Sequence, residues 1–158
     1  MPIYIKYEGI TGDTTAEGHK EWIEVNSFQW GVGRGIHSPT GAGGDRESSA
    51  PSVSEIVVTK HADTSSIDLL SEALQGEGKT VKIDFVKTDK GKLETYLSYE
   101  LTNTMISGYS MSSGGDRPTE SISLNFTKIM CNEKGSDIAG KVGQPSKIIY
   151  DISLAKVV

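Results

Sequence analysis

The alternation of apolar and polar residues is clearest between Ser121 and Ile129. Ile122, Leu124 and Phe126 share one parity; Ser121, Ser123, Asn125 and Thr127 share the other. An extended chain sends the two sets to opposite faces. The stretch therefore predicts a strand with one core side and one side of small neutral polar groups. Before it comes Ser112-Ser113-Gly114-Gly115-Asp116-Arg117-Pro118, a run of turn-forming residues. A second strand is expected over about 20–30. Burying Phe28 and Trp30 sends Ser27 and Gln29 outward, whereas Ile23 and Val25 ask for the reverse. The amphipathic sense changes near Val25, and a bulge there is the expected device.

The same reading places strands at 3–7, 53–60, 80–87, 93–101, 104–111 and 147–154. Thr88-Asp89-Lys90-Gly91-Lys92 forms a hairpin turn between the fourth and fifth of the chain's strands. One helix follows residue 64. Thr64 or Ser65 caps it, Ser65 to Asp68 has capping-box spacing, and Gly76 and Gly78 end it. Its apolar stripe is Ile67, Leu70 and Leu74, with Leu69 and Ala73 beside it. Seven or eight strands and one helix predict a mainly β fold: an antiparallel β-barrel of two packed sheets with one flanking α-helix, in one domain over 1–158.

Residues 33–52 show no periodicity. They contain Gly41, Gly43 and Gly44, then Asp45-Arg46-Glu47. A long loop of this kind inside a small domain is usually functional. Its own apolar content is too low to order it, so a contact outside the domain is expected to do so.

Composition narrows the function classes. The 158 residues are long enough for a proper core, and 35% hydrophobic content with 18 glycines and 5 prolines suits a turn-rich β protein. A net charge of −5 argues against nucleic-acid binding. Lys79, Lys82, Lys87, Lys90 and Lys92 are interrupted by Asp84 and Asp89 and read as a solvated hairpin face. Cys131 is the single cysteine, so no intrachain disulfide forms. The first residues read as a strand rather than a signal peptide, and no stretch has the length of a membrane span. Synthesis in the cytoplasm without a signal peptide, and no membrane insertion, are the expectations.

Catalytic chemistry finds little support. His19, His37 and His61 lack metal-ligand spacing, Cys131 has no neighbouring histidine, and Gly31-Val32-Gly33 lacks the third glycine of a dinucleotide loop. The expectation is a protein that is not an enzyme, with no metal and no cofactor.

Three runs, taken in order, carry a resemblance. They are His19-Lys20-Glu21-Trp22-Ile23-Glu24-Val25 with Gln29-Trp30-Gly31; Thr59-Lys60 with Asp63, Ser65, Leu69-Leu70 and Gly78-Lys79; and Gly114 to Glu120 leading into Ser123-Leu124-Asn125-Phe126. Together they resemble the haemolysin-coregulated protein (Hcp) family, the tube proteins of bacterial type VI secretion. Two positions depart from the family. Ile67 stands where proline commonly begins the helix, and Asp45-Arg46-Glu47 stands where relatives are often nearly all glycine.

The resemblance implies a homohexameric ring, ring-on-ring stacking into a tube inside a contractile sheath, and a spike protein of the VgrG type at the tip. It also implies effector proteins carried in the lumen and release through the type VI system. On this reading Ser27, Gln29, Ser123 and Asn125 face the lumen and contact cargo, with Gln29 the preferred contact. Gly41, Gly43, Gly44, Asp45, Arg46 and Glu47 form an assembly loop. Two alternatives stand beside it: a tail-tube protein of a phage-like contractile particle, and a monomeric ligand-binding β-barrel module, which wants an exposed aromatic platform.

Overall fold

The computed structural model describes residues 1–38, 47–135 and 145–158. In chain order the elements are β1 (Ile3–Tyr7), β2 (Ile23–Val25), β3 (Ser27–Gln29), β4 (Val32–Gly33), β5 (Ile36–His37), β6 (Glu47–Ser48), β7 (Ser52–Val53), β8 (Ile56–His61), α1 (Ser66–Gln75), β9 (Lys79–Asp89), β10 (Lys92–Ser112), β11 (Thr119–Asn125), β12 (Lys128–Glu133), β13 (Ser146–Asp151) and β14 (Lys156–Val157).

All pairings are antiparallel. Sheet A runs β2-β1-β9-β10-β12-β13-β14, and sheet B runs β10-β11-β8-β3. The mainly β class with two packed sheets and one helix is as the sequence predicts.

The spine is β10, where the pattern predicts two strands at 93–101 and 104–111. Thr102 and Asn103 do not make a turn. Asn103 takes a left-handed φ of +54°, and the register against β9 shifts between Leu101 and Thr104. The strand stays continuous while it changes sheet. It pairs with β12 as far as Thr102 and with β9 as far as Thr104, beyond the shift, and with β11 from Met105 onward.

On the other side the chain also passes between sheets. The single strand expected over 20–30 is two: β2 pairs with β1 in sheet A, and β3 pairs with β8 in sheet B. The break falls at Asn26, whose backbone N–H donates to the Thr59 carbonyl at 2.6 Å. The change of amphipathic sense near Val25 is thus a change of sheet rather than a bulge. Ile23 and Val25 are buried from one side, Phe28 and Trp30 partly buried from the other.

The core lies between the sheets. Ile5, Ile23, Val25, Ile83, Leu101 and Ile129 come from sheet A; Ile56, Val58, Ile106, Ile122 and Leu124 come from sheet B. At one end Phe28 sits edge-on to Phe85 at 5.0 Å and stacks on Tyr99 at 5.2 Å. Such pairs add specificity to simple burial.

Three local expectations change. First, residues 33–52 do not lack secondary structure: β4 pairs with β7 and β5 with β6, giving a two-stranded ribbon that leaves sheet B. Second, the helix turns a different face inward. Leu69 is buried, whereas Ile67 is 75% and Leu74 77% exposed. Third, Ser65 stands at the N-cap as expected, but its side chain makes no capping bond, and the reciprocal bonds at the helix start are made by Asp63. Its carboxylate accepts from the Ser65 N–H at 2.9 Å, and Ser66 Oγ accepts from the Asp63 N–H at 2.9 Å. This reciprocal pair is a capping box two residues earlier than the spacing predicts. At the other end Gly76 is extended, not left-handed, and a Cβ there would come within 2.4 Å of the Glu72 carbonyl.

The strand expected over 53–60 is β8, with Val53 belonging to the ribbon; that expected over 147–154 ends at Asp151 and turns into β14. In the hairpin, Lys90 and Gly91 both have positive φ, +49° and +79°. That combination is the type I′ turn that matches strand twist.

Candidate functional site

Pairing in sheet B lines its outward side chains into rows. Ser110, Ser121, Thr59 and Ser27 stand in register across all four strands. The next row is Gly108, Ser123, Val57 and Gln29; beyond it Met105 faces Asn125, and at the opposite end Ser112, Thr119 and His61 align. These rows contain no Lys, Arg, Asp or Glu and no Trp, Tyr or Phe.

A Cβ at Gly108 would meet Ser123 Oγ at 3.3 Å, so glycine there keeps a side chain out of the row. Ser27 Oγ and Thr59 Oγ1 lie 2.5 Å apart and share a hydrogen bond, which spends part of their capacity internally. Gln29 and Asn125 are exposed, and Ser123 is half-buried. At the ribbon end Ser107 Oγ donates to Glu55.

The outer face of sheet A differs in kind. One row is Lys6, Lys82 and Glu100. The next runs Glu24, Tyr4, Asp84, Ser98, Asn132 and Lys147. Ordinary solvated sheets carry this mixture of charges. Sheet B does not, although the whole chain is 23% charged.

All four residues expected on the neutral side, Ser27, Gln29, Ser123 and Asn125, occur in the outward rows of sheet B. Strand pairing places Ser121, already on the neutral side by parity, in the same rows, and adds Thr59, Ser110 and Gly108, which periodicity alone does not bring there. The alternation Val57, Thr59, His61 in β8 was the available signal, but parity within a strand does not reveal its neighbours. Of the loop residues, Gly41, Gly43, Gly44, Asp45 and Arg46 lie outside the described residues, while Glu47 pairs with His37.

The ionisable groups in the motifs turn out to hold the fold. Lys60 and Glu120 are fully buried cross-strand partners. Lys60 Nζ donates to Glu120 Oε1 at 3.2 Å and to Asp63 Oδ1 at 2.9 Å. Ser66 Oγ also donates to Glu120, and Tyr109 Oη donates to it at 3.0 Å. Burial, then the bond to Glu120, then the charges of Glu120 and Asp63 push the Tyr109 phenol up to about 12. Arg117 Nε donates to the Ala62 carbonyl at 2.6 Å. The turn at 113–118 and the start of α1 are thereby tied to one another.

His19 is likewise structural. Its Nε2 lies 2.8 Å from Asp84 Oδ2, and its ring stacks on Tyr4 at 5.0 Å and meets Trp22 edge-on at 4.7 Å. Burial raises the Cys131 thiol above its ordinary value, which disfavours the reactive thiolate. Among the described residues no three His, Cys, Asp or Glu side chains are grouped to hold a metal, and no helix is long and apolar enough to cross a membrane.

Comparison with known proteins bears on the whole architecture. Over its full length the chain is similar to a solved type six secretion system protein: 29% identity, 99% of each chain covered, TM-score 0.89. It is similar to a type VI secretion system effector from Yersinia pestis at 26% identity, covering 94% of this chain and 98% of that one, with TM-score 0.74. Hcp1 from Salmonella typhimurium, at 20% identity over 99% and 98% of the two chains, shares the fold with TM-score 0.76. Comparison with curated protein sequences finds no match. The family model described as "Type VI secretion system effector, Hcp" matches residues 4–132. The runs that carry the sequence resemblance all lie within that span, and the chain belongs to the Hcp family of type VI secretion.

Proposed function

We propose that this protein is the tube subunit of a bacterial type VI secretion system. Six copies close into a ring, rings stack head to tail inside the contractile sheath, and the tube carries a VgrG-type spike protein at its tip. It leaves the cell through the system, and it performs no enzymatic chemistry of its own.

The observation that carries the reading is the contrast between the two outer faces. A conduit must not hold its cargo tightly, and the sheet B face offers hydroxyls, amides and no fixed charge. Each such group provides a hydrogen bond worth about 0.5–1.5 kcal/mol. A ring presents each contact once per subunit, so weak contacts sum to useful retention. On this proposal the sheet B face lines the channel, effector proteins ride within it, and Gln29 has the longest reach of the face and both donor and acceptor groups.

Native mass spectrometry with electron microscopy of the purified protein tests it. The expected result is a hexameric ring with an open channel. A monodisperse monomer at tens of micromolar in mild salt overturns it and favours a single-copy binding module, although the sheet B face lacks the aromatic platform such a module wants.

A further inference from the structure

The ribbon and a polar cleft sit at opposite ends of β8. The ribbon leaves sheet B beside Gln29 and Ile56. The cleft, about 470 Å³, opens beyond His61 and is lined by Tyr4, Asp13, Glu24, Asn26, His61 and Arg117, among others. Ile56 to His61 is five strand steps, so the two features are separated by roughly 17 Å along the sheet. A contact between them is therefore a contact between copies that repeats in one direction. Such head-to-tail contacts close into rings or run on as open stacks, and do not form closed pairs.

The ribbon needs a partner. A two-stranded hairpin standing alone is marginal in water. Every described residue from Gly31 to Ser38 is exposed, including Val32 and Ile36. Arg34 makes no ion pair among the described residues, and neither Asp13 nor Glu24 does. The charges are complementary: an unpaired guanidinium on the ribbon, two unpaired carboxylates in the cleft. Arg117 on the facing wall uses Nε on Ala62, which leaves its terminal nitrogens for acceptors brought by the ribbon.

We infer that the 31–38 strand of the ribbon docks into the Asp13–Glu24–Arg117 cleft of a second copy in the adjacent ring, with Arg34 pairing to Asp13 and Glu24. This rests on the proposed tube reading and names the receiving site that reading leaves open. Exposed ion pairs are weak singly, but a ring engages all of its copies at once.

The test pairs engineered cysteines with a charge swap. Under mild oxidation the double variant Arg34→Cys/Asp13→Cys is expected to yield a ladder of disulfide-linked copies, with none from Arg34→Cys/Lys82→Cys, whose second site does not line the cleft. In sedimentation, Arg34→Asp or Asp13→Arg alone is expected to lower the stacked fraction about threefold or more. The two together should bring it back to within about twofold of the parent. Native mass spectrometry should find intact rings in every variant. Intact rings with no ladder, an equal ladder in the control, or a swap whose effects merely add overturn the docking site while leaving the tube reading standing. Loss of the ring in a single variant assigns that residue to the ring contact and also overturns the site. Absence of rings in the parent overturns both.

Discussion

Lys60 and Glu120 face each other across β8 and β11 with their charged atoms 3.2 Å apart, and neither side chain is exposed to solvent. Burying an ion pair is seldom stabilising in itself, but removing one member strands the other in a medium that cannot solvate it. The cost of the pair is offset here by Asp63, Ser66 and Tyr109, each of which bonds to one member. The pair fixes where α1 begins and which way it faces.

Breaking this pair one side at a time should therefore be severe. Lys60→Met is expected to destabilise the fold by about 3–5 kcal/mol. Lys60→Met together with Glu120→Gln should cost less than the sum of the two single changes, because Glu120 then strands no charge and Asp63 keeps the bonds it accepts from Ser65. Urea unfolding followed by circular dichroism of the four variants measures the difference.

The helix offers a contrast within one turn. Leu69→Ala should cost about 2–5 kcal/mol, whereas Ile67→Ala, at a site 75% exposed, should stay within about 0.5 kcal/mol. Equal losses at the two positions would mean that α1 packs through the stripe containing Ile67. Thermal unfolding of the two variants decides between these packings.

Burial, and secondarily the charge of Glu72, pushes the Tyr7 phenol up to about 12 from its ordinary 10.0. The folded state thus holds this proton more tightly than the unfolded chain. Its contribution is complete below pH 10 and is lost as pH rises towards about 12. Urea midpoints should fall over that window, and Tyr7→Phe should flatten part of the fall. An unchanged slope in the variant would refute the assignment.

Gln29→Arg places a charge on the neutral face without entering the core. The hexamer measured by native mass spectrometry should survive, while effector co-purification or export falls. If the variant instead fails to assemble, Gln29 belongs to a subunit contact and not to the channel.

Removing residues 41–46 keeps both members of the His37–Glu47 pairing. The purified variant is expected to unfold at the parent's temperature yet form shorter tubes and support less secretion. Parent-level secretion would count against the assembly role.

Much was legible in the sequence because it follows from local periodicity. The parity of Ile122, Leu124 and Phe126, the Lys90-Gly91 turn and the existence of one helix all depend on residues close together in the chain. So did the neutral side containing Ser123 and Asn125. Tertiary structure decided what depends on partners far away. Asn26 could become a crossing between sheets only because Thr59 waits to accept its N–H. Thr102 and Asn103 stay inside one strand because β9 and β12 on one side and β11 on the other hold β10 across the irregularity. The inward face of α1 illustrates the limit best. Ile67, Leu70 and Leu74 make as good a stripe as Ser66, Leu69 and Ala73, and helical spacing cannot choose between them. The choice comes from Glu120, fifty-four residues from Ser66 in the chain, whose buried carboxylate takes the Ser66 hydroxyl and turns the helix towards the core.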